Sequence, residues 1–138
     1  MKDVSKQEFE KSFEKHYKNY KNIQPSNSST RLLLFYAVEC GLKSLIMSQE
    51  HVFLFSKLSE EEQNCKHDLK KLLKILGVEE KYKLKAIKTN RGESITCGHY
   101  NEFWRYGLQC AQKEIDENKE MQIEEELKKI AEWIMERK

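Results

Sequence analysis

A chain of 138 residues is long enough to bury one core without disulfides or a metal, and 35% charged residues with a net charge of only +2 exclude binding of nucleic acid by bulk charge alone. Five glycines and one proline are too few for an all-β chain built on many tight turns. Four cysteines without a Cys-x-x-Cys pair exclude zinc-ribbon spacing, and Cys40 and Cys110 fall in apolar helical patterns as packed thiols.

The N-terminal stretch MKDVSKQEFEK holds no apolar segment of the secretory type, so a reducing cytoplasm is the expected compartment. Ser5-Lys6-Gln7-Glu8 has the form of a capping box opening a first helix. Phe9, Phe13, Tyr17 and Tyr20 follow at helical spacing as one aromatic stripe. Gln24 to Thr30 is turn chemistry around the single proline, Pro25, and supplies an N-cap for a second helix expected from about Thr30 to Glu50. That helix is apolar nearly all round, which predicts a place at the bundle centre with Leu33, Phe35, Ala37, Val38, Leu42, Leu45 and Ile46 inside. Gly41 costs about 1 kcal/mol against alanine within a helix, so a close helix–helix contact is expected there. With Glu39 and Lys43 in it, the run reads as too short and too polar for a membrane span.

Residues 56–68 are polar and are expected to carry the turn into a third helix, Asp68 to Leu76. It sets Leu69, Leu72, Leu73 and Leu76 on one face and stops at Gly77. Residues 77–98 are the least regular; Tyr82, Leu84 and Ala86 alternate with lysines, which suits a short extended piece or a helical turn. A fourth helix is expected from His99, with Tyr100, Trp104, Gly107, Leu108, Ala111 and Ile115 sharing a face. Ile123, Leu127, Ile130, Ala131 and Ile134 define a fifth amphipathic pattern over about 119–136, either a separate helix or a continuation of the fourth. The whole reads as one helical domain, 1–138, with a core over about 5–115.

Charge is polarised along the chain. Residues 66–91 hold nine Lys and Arg against three acids, while residues 113–138 hold nine acids against six bases. Lys66, Lys70, Lys71, Lys74, Lys81, Lys83, Lys85, Lys88 and Arg91 form the one basic patch, with Tyr82 among them. Such a patch suits phosphates of RNA or DNA, an acidic protein surface, or plain solvent. No P-loop, HExxH, GxSxG or GxGxxG is present, and neither a cofactor nor a metal is expected.

Arg31 to Met47, with Ala37, Glu39 and Leu42-Lys43, is followed by a loop and then His67-Asp68-Leu69 opening a leucine-faced helix. Together these stretches resemble the HEPN family of small all-helical domains, over roughly residues 5–115. The resemblance implies an all-α fold, a HEPN-like four-helix bundle, here with an additional C-terminal helix or extension. It also implies a setting among RNA-targeting, host-defence and toxin–antitoxin systems, often as dimers or as subunits of larger assemblies.

HEPN ribonucleases carry an Arg-x(4–6)-His motif at the start of the last core helix. There the histidine moves the 2′-hydroxyl proton and the arginine holds the scissile phosphate. The nearest pair here is Arg91 and His99, with seven residues between them and Gly92 in place of a polar neighbour. That spacing favours a non-catalytic or atypical accessory subunit that binds a protein partner or a second copy, with RNA or DNA as a further ligand and no membrane. One alternative is a metal-independent RNA endonuclease using Arg91 and His99. A second is a small-ligand sensor around Glu39 and Arg105, with His67 and Tyr106 beside them. Ahead of that pocket stands a structural reading, in which Arg105 pairs with buried Glu39 and fixes helix register. His67 reads as a packed or capping residue, and Asp68 as a helix cap. Part of the segment 121–135, with Trp133, is expected to pack on a second copy or partner subunit, the alternative being a helix folded back on its own bundle; Met135 lies beside the stripe. The segment's acidic flank, Glu124 to Glu126, would meet the basic patch of another molecule.

Overall fold

The computed structural model describes residues 3–110 and 113–137, the side chains of 113–117 excepted. The fold is all-α, with helices α1 Lys6–Asn22, α2 Ser28–Glu50, α3 Glu60–Gln63, α4 Leu69–Ile75, α5 Tyr100–Arg105 and α6 Lys113–Glu136. A short antiparallel hairpin, β1 Ile87–Lys88 with β2 Ser94–Ile95, joins α4 to α5 and pairs Ile87 with Ile95.

Ser5 caps α1 through the expected box: its hydroxyl accepts from the Glu8 amide at 3.1 Å, and the Glu8 carboxylate accepts from the Ser5 amide at 2.9 Å. Phe13, Tyr17 and Tyr20 carry the stripe inward, with successive rings stacked 5.8 and 6.4 Å apart. The chain before α1 pairs with the chain after α2: Lys6 N–H donates to Phe53 C=O and Phe55 N–H to Val4 C=O, each at 2.9 Å.

α2 begins two residues before the expected start, with Asn27 of the Gln24–Thr30 stretch as its cap. Its side chain accepts from the Thr30 amide at 3.0 Å, and Thr30 Oγ1 accepts from the Asn27 amide at 2.8 Å. Phe35, Ala37, Val38, Leu42 and Ile46 are buried as expected, while Leu33 and Leu45 are half-buried. α1, α4, α5 and α6 all pack on this helix. Gly41 marks the tightest approach: a Cβ there would lie 2.8 Å from Ile134 Cδ1 of α6 and 3.0 Å from Phe13 Cδ1 of α1. By length and composition α2 passes as a bilayer span, contrary to the reading from its charges; here 61% of its most apolar stretch is buried inside the protein.

Two corrections concern the second half. The polar turn before α4 holds a helical turn of its own, α3, with a Ser59–Glu62 capping box. The fourth helix ends at Arg105, well short of Ile115. Gly107 sits at φ +61, a left-handed conformation that glycine adopts without strain and that stops a helix. The following chain returns to the hairpin, where Asn90 N–H donates to Gln109 C=O at 2.9 Å. Ala111 and the Ile115 side chain lie outside the described residues.

Because α5 is so short, α6 covers the remaining side of α2. Ile123, Leu127, Ile130, Ala131 and Ile134 are fully buried in the chain's own core, so the stripe expected to meet a second copy is used within the molecule. Trp133 is half-buried beside it, with Arg137 stacked 4.2 Å over its ring. The acidic flank likewise meets its own basic segment: Glu126 accepts from the Lys83 amide at 2.9 Å, and Lys85 Nζ donates to Gln122 at 2.8 Å.

Gly41→Val is expected to lower the unfolding free energy by about 1–3 kcal/mol through overpacking against Ile134 and Phe13. Urea denaturation reads this directly; an unchanged midpoint would mean that α1 and α6 do not close on this position.

Candidate functional site

Glu39 and Lys43 lie one turn apart on α2 and are 6% and 8% exposed. Lys43 Nζ meets Glu39 Oε2 at 2.9 Å and lies over the Phe9 and Phe55 rings, 5.9 and 5.5 Å from their centroids. The other carboxylate oxygen, Oε1, holds His67 Nδ1 at 2.7 Å. A carboxylate that already carries an ammonium on one oxygen has no proton to give through the other. In its neutral form the imidazole therefore donates from Nδ1, which leaves the Nε2 lone pair turned away from Glu39.

The turn before α4 delivers His67 to this contact. Lys66 takes a left-handed φ of +50, a conformation that costs a non-glycine residue about 1 kcal/mol or more. Asp68 then caps α4, accepting from the Lys71 amide at 3.3 Å, and meets Cys97 Sγ at 3.4 Å. Burial pushes the Cys97 thiol up to about 11. A Cβ on Gly98 would touch Asp68 Oδ2 at 3.3 Å, so the segment entering α5 packs closely on this cap. His67 itself remains 48% exposed, with Lys66, Lys70, Lys71 and Lys74 exposed around it in sequence.

The remaining expected site residues are dispersed. Arg105 does not pair with Glu39. It projects fully exposed from the end of α5, donates to the Tyr36 hydroxyl and lies 5.9 Å over the Tyr36 ring. Tyr100, Asn101, Phe103 and Trp104 take the inward positions of α5, and both Glu39 oxygens are already occupied. The expected ligand pocket thus reduces to Glu39 and His67, while Tyr106 stands with Arg105 at 67% exposure. Arg91, in the hairpin turn, lies 3.5 Å from Glu93, and His99 Nδ1 lies 3.0 Å from Glu102; no hydrogen bond or ion pair joins Arg91 to His99 among the described residues. The basic patch divides: Lys70, Lys71 and Lys74 line α4, Lys83 and Lys85 lean on α6, Lys81 ends the turn between them and Lys88 is exposed on β1. No disulfide joins the four cysteines; Cys65 and Cys97 are buried and Cys40 and Cys110 half-buried.

A further polar cluster escaped the sequence reading. Arg31, in the first turn of α2, donates from Nη1 to Glu120 at 2.9 Å and from Nε to Glu124 at 2.7 Å. Glu124 also accepts from the Tyr20 hydroxyl and from Ser26 Oγ at 2.5 Å, and Glu120 from Trp104 Nε1 at 2.8 Å. The one sequence signal was the four-residue spacing of Glu120 and Glu124, which puts both carboxylates on one face of α6. Every partner comes from another element, and a pocket of about 400 Å³ lined by Asn27, Arg31, Leu108, Cys110 and Glu120 opens beside it. With its acceptors this fully engaged, the cluster clamps α6 to α1, α2 and α5.

Comparison with known proteins finds no matching family model, no matching curated protein and no matching solved structure. The HEPN resemblance accordingly stands on residues 31–47 and 66–76.

Burial raises the Glu124 carboxyl, but the bonds from Ser26, Tyr20 and Arg31 outweigh it and hold the group below its ordinary value. A depressed folded value contributes stability above the unfolded value, about 4.3, and loses it as pH falls through the folded one. Unfolding free energy is therefore expected to drop with acidification below about pH 4.3, and less steeply in Glu124→Gln. Urea titrations across that range check it; parallel curves would deny the clamp an electrostatic share. For the Glu39 site, ¹⁵N–¹H NMR of the imidazoles is expected to show neutral His67 protonated on Nδ1. An Nε2–H form would break the assignment.

Proposed function

We propose that this chain is a non-catalytic helical accessory module that binds a partner protein, docking through Tyr36, Arg105 and Tyr106. The observation that carries this reading is Arg105, which is exposed yet held by the hydroxyl and ring of Tyr36. A side chain already ordered before contact loses less entropy on binding. Arginine and tyrosine are also the residue types on which interface energy concentrates. An accessory role suits Arg91 and His99 as well, each of which faces its own carboxylate.

The resemblance of residues 31–47 and 66–76 to HEPN proteins supports a cytoplasmic RNA-targeting or defence assembly as the setting. The exposed lysines of α4 support RNA or DNA as a further ligand, held by phosphate charge and weakened by salt.

Affinity capture of the tagged chain from its own cells, quantified against Arg105→Ala and Tyr106→Ala, tests the docking face. One partner depleted about tenfold or more in both variants, as expected for a hot-spot pair, and retained in Lys70→Glu/Lys74→Glu, is the expected result. Full retention in the first two variants overturns it. Metal-free RNA cleavage lost in both Arg91→Ala and His99→Ala would replace this reading with the endonuclease.

A further inference from the structure

We propose that His67 is a phosphoryl-acceptor site, with the Nε2 lone pair as nucleophile and Glu39 as the positioning residue. The site does not depend on the Arg105 docking face. The two ring nitrogens are unequal: Nδ1 is fixed on Glu39 at 2.7 Å, and no hydrogen bond or ion pair engages Nε2 among the described residues. A buried carboxylate behind an imidazole fixes its tautomer and its orientation. It also stabilises the positive charge that spreads over the ring when Nε2 forms a new bond, without having to move at that moment. Lys43 keeps Glu39 in place from the far side and, with the Phe9 and Phe55 rings, closes that side to water.

The surroundings select the chemistry. His67 is half exposed at the entry to α4, with exposed Lys66 immediately before it and exposed Lys70 one helical turn on. A dianionic phosphoryl group is the electrophile whose oxygens such ammonium groups favour. The exposure allows the donor to be a small phosphoramidate or acyl phosphate, or the phosphorylated site of another protein. With phosphoramidate, the Nε2 lone pair forms the new N–P bond and the donor's P–N bond breaks. The electron pair leaves on the donor nitrogen, which is already protonated near neutral pH and departs as ammonia. The product is Nε2-phosphohistidine, its Nδ1 proton still on Glu39.

The protein supplies its own controls. His51 is exposed at the C-cap of α2, and His99 rests on Glu102, with side chains 61% and 50% exposed. Accessibility alone therefore favours His99 over His67, and a carboxylate contact alone favours neither. The full chain is incubated with potassium phosphoramidate, and phosphorylation of each histidine is followed by ³¹P NMR and by mass spectrometry of peptides kept at alkaline pH. The expected result is modification of His67 on Nε2 about tenfold or more faster than His51 and His99, a margin of the size that an orienting second group confers. His67→Ala removes that fast phase and leaves His16, His51 and His99 unchanged. Glu39→Gln, with folding checked by circular dichroism, slows it by a similar factor, whereas Glu102→Gln does not. A rate at His67 equal to that of His51 and His99 in the unmodified protein, or attachment at Nδ1 of His67, overturns the proposal without any variant.

Discussion

α2 has neighbours on every side: α1, α4, α5 and α6 all lie against it. A charged group on such a helix cannot be left to bulk water, and stripping an ion of its hydration costs several kcal/mol unless new partners fill its bonding positions. Arg31, Glu39 and Lys43, the charges on its covered part, therefore dictate what must stand opposite. Arg31 requires Glu120 and Glu124, which sets the rotation of α6 about its axis. Glu39 requires Lys43 and His67, which sets the turn entering α4. Apolar burial holds the bundle together, while these polar matches select which packing of the helices is allowed.

The two clusters use similar chemistry and end differently. Around Arg31 the carboxylates accept from arginine, tyrosine, serine and tryptophan, all inside a helix–helix interface. There the polar groups are spent on holding helices together. Around Glu39 the network ends on an imidazole that reaches the surface with one nitrogen unused. Solvent access at the end of the network, more than the identity of its members, separates a structural clamp from a candidate site. Arg105 shows the opposite arrangement, a charge wholly in water but ordered by an aromatic neighbour, and this is the form that suits a docking surface.

Much of the architecture was legible along the chain. The capping box at Ser5, the aromatic stripe of α1, the burial of α2, the leucine face of α4 and the tight approach at Gly41 are local or periodic features, and each held. The fourth helix was misread because Gly107 falls in register with an apolar face, yet its missing Cβ serves a left-handed stop. That early stop leaves a side of α2 open, and α6 fills it. The amphipathic stripe on α6 announced a buried face but could not say whose surface it would cover. Within the site, Glu39 and His67 stood out as a lone acid in an apolar helix and a histidine at a helix start. Lys43 entered the resemblance and weighed against a membrane span but was not read as the partner of Glu39, and Arg105 was assigned to the wrong partner.

Sequence by itself determined the elements that depend on neighbours a few residues away: caps, apolar periodicity and the central place of α2. Only the tertiary structure decided the pairing of charges. Glu39 and His67 are 28 residues apart, and Arg31 and Glu124 are 93 apart. Their contacts depend on a left-handed residue at Lys66 and on the early end of α5, neither of which leaves a periodic trace. Long-range ion pairs are chosen by which groups are buried opposite one another, and burial is a property of the packed helices rather than of any one of them.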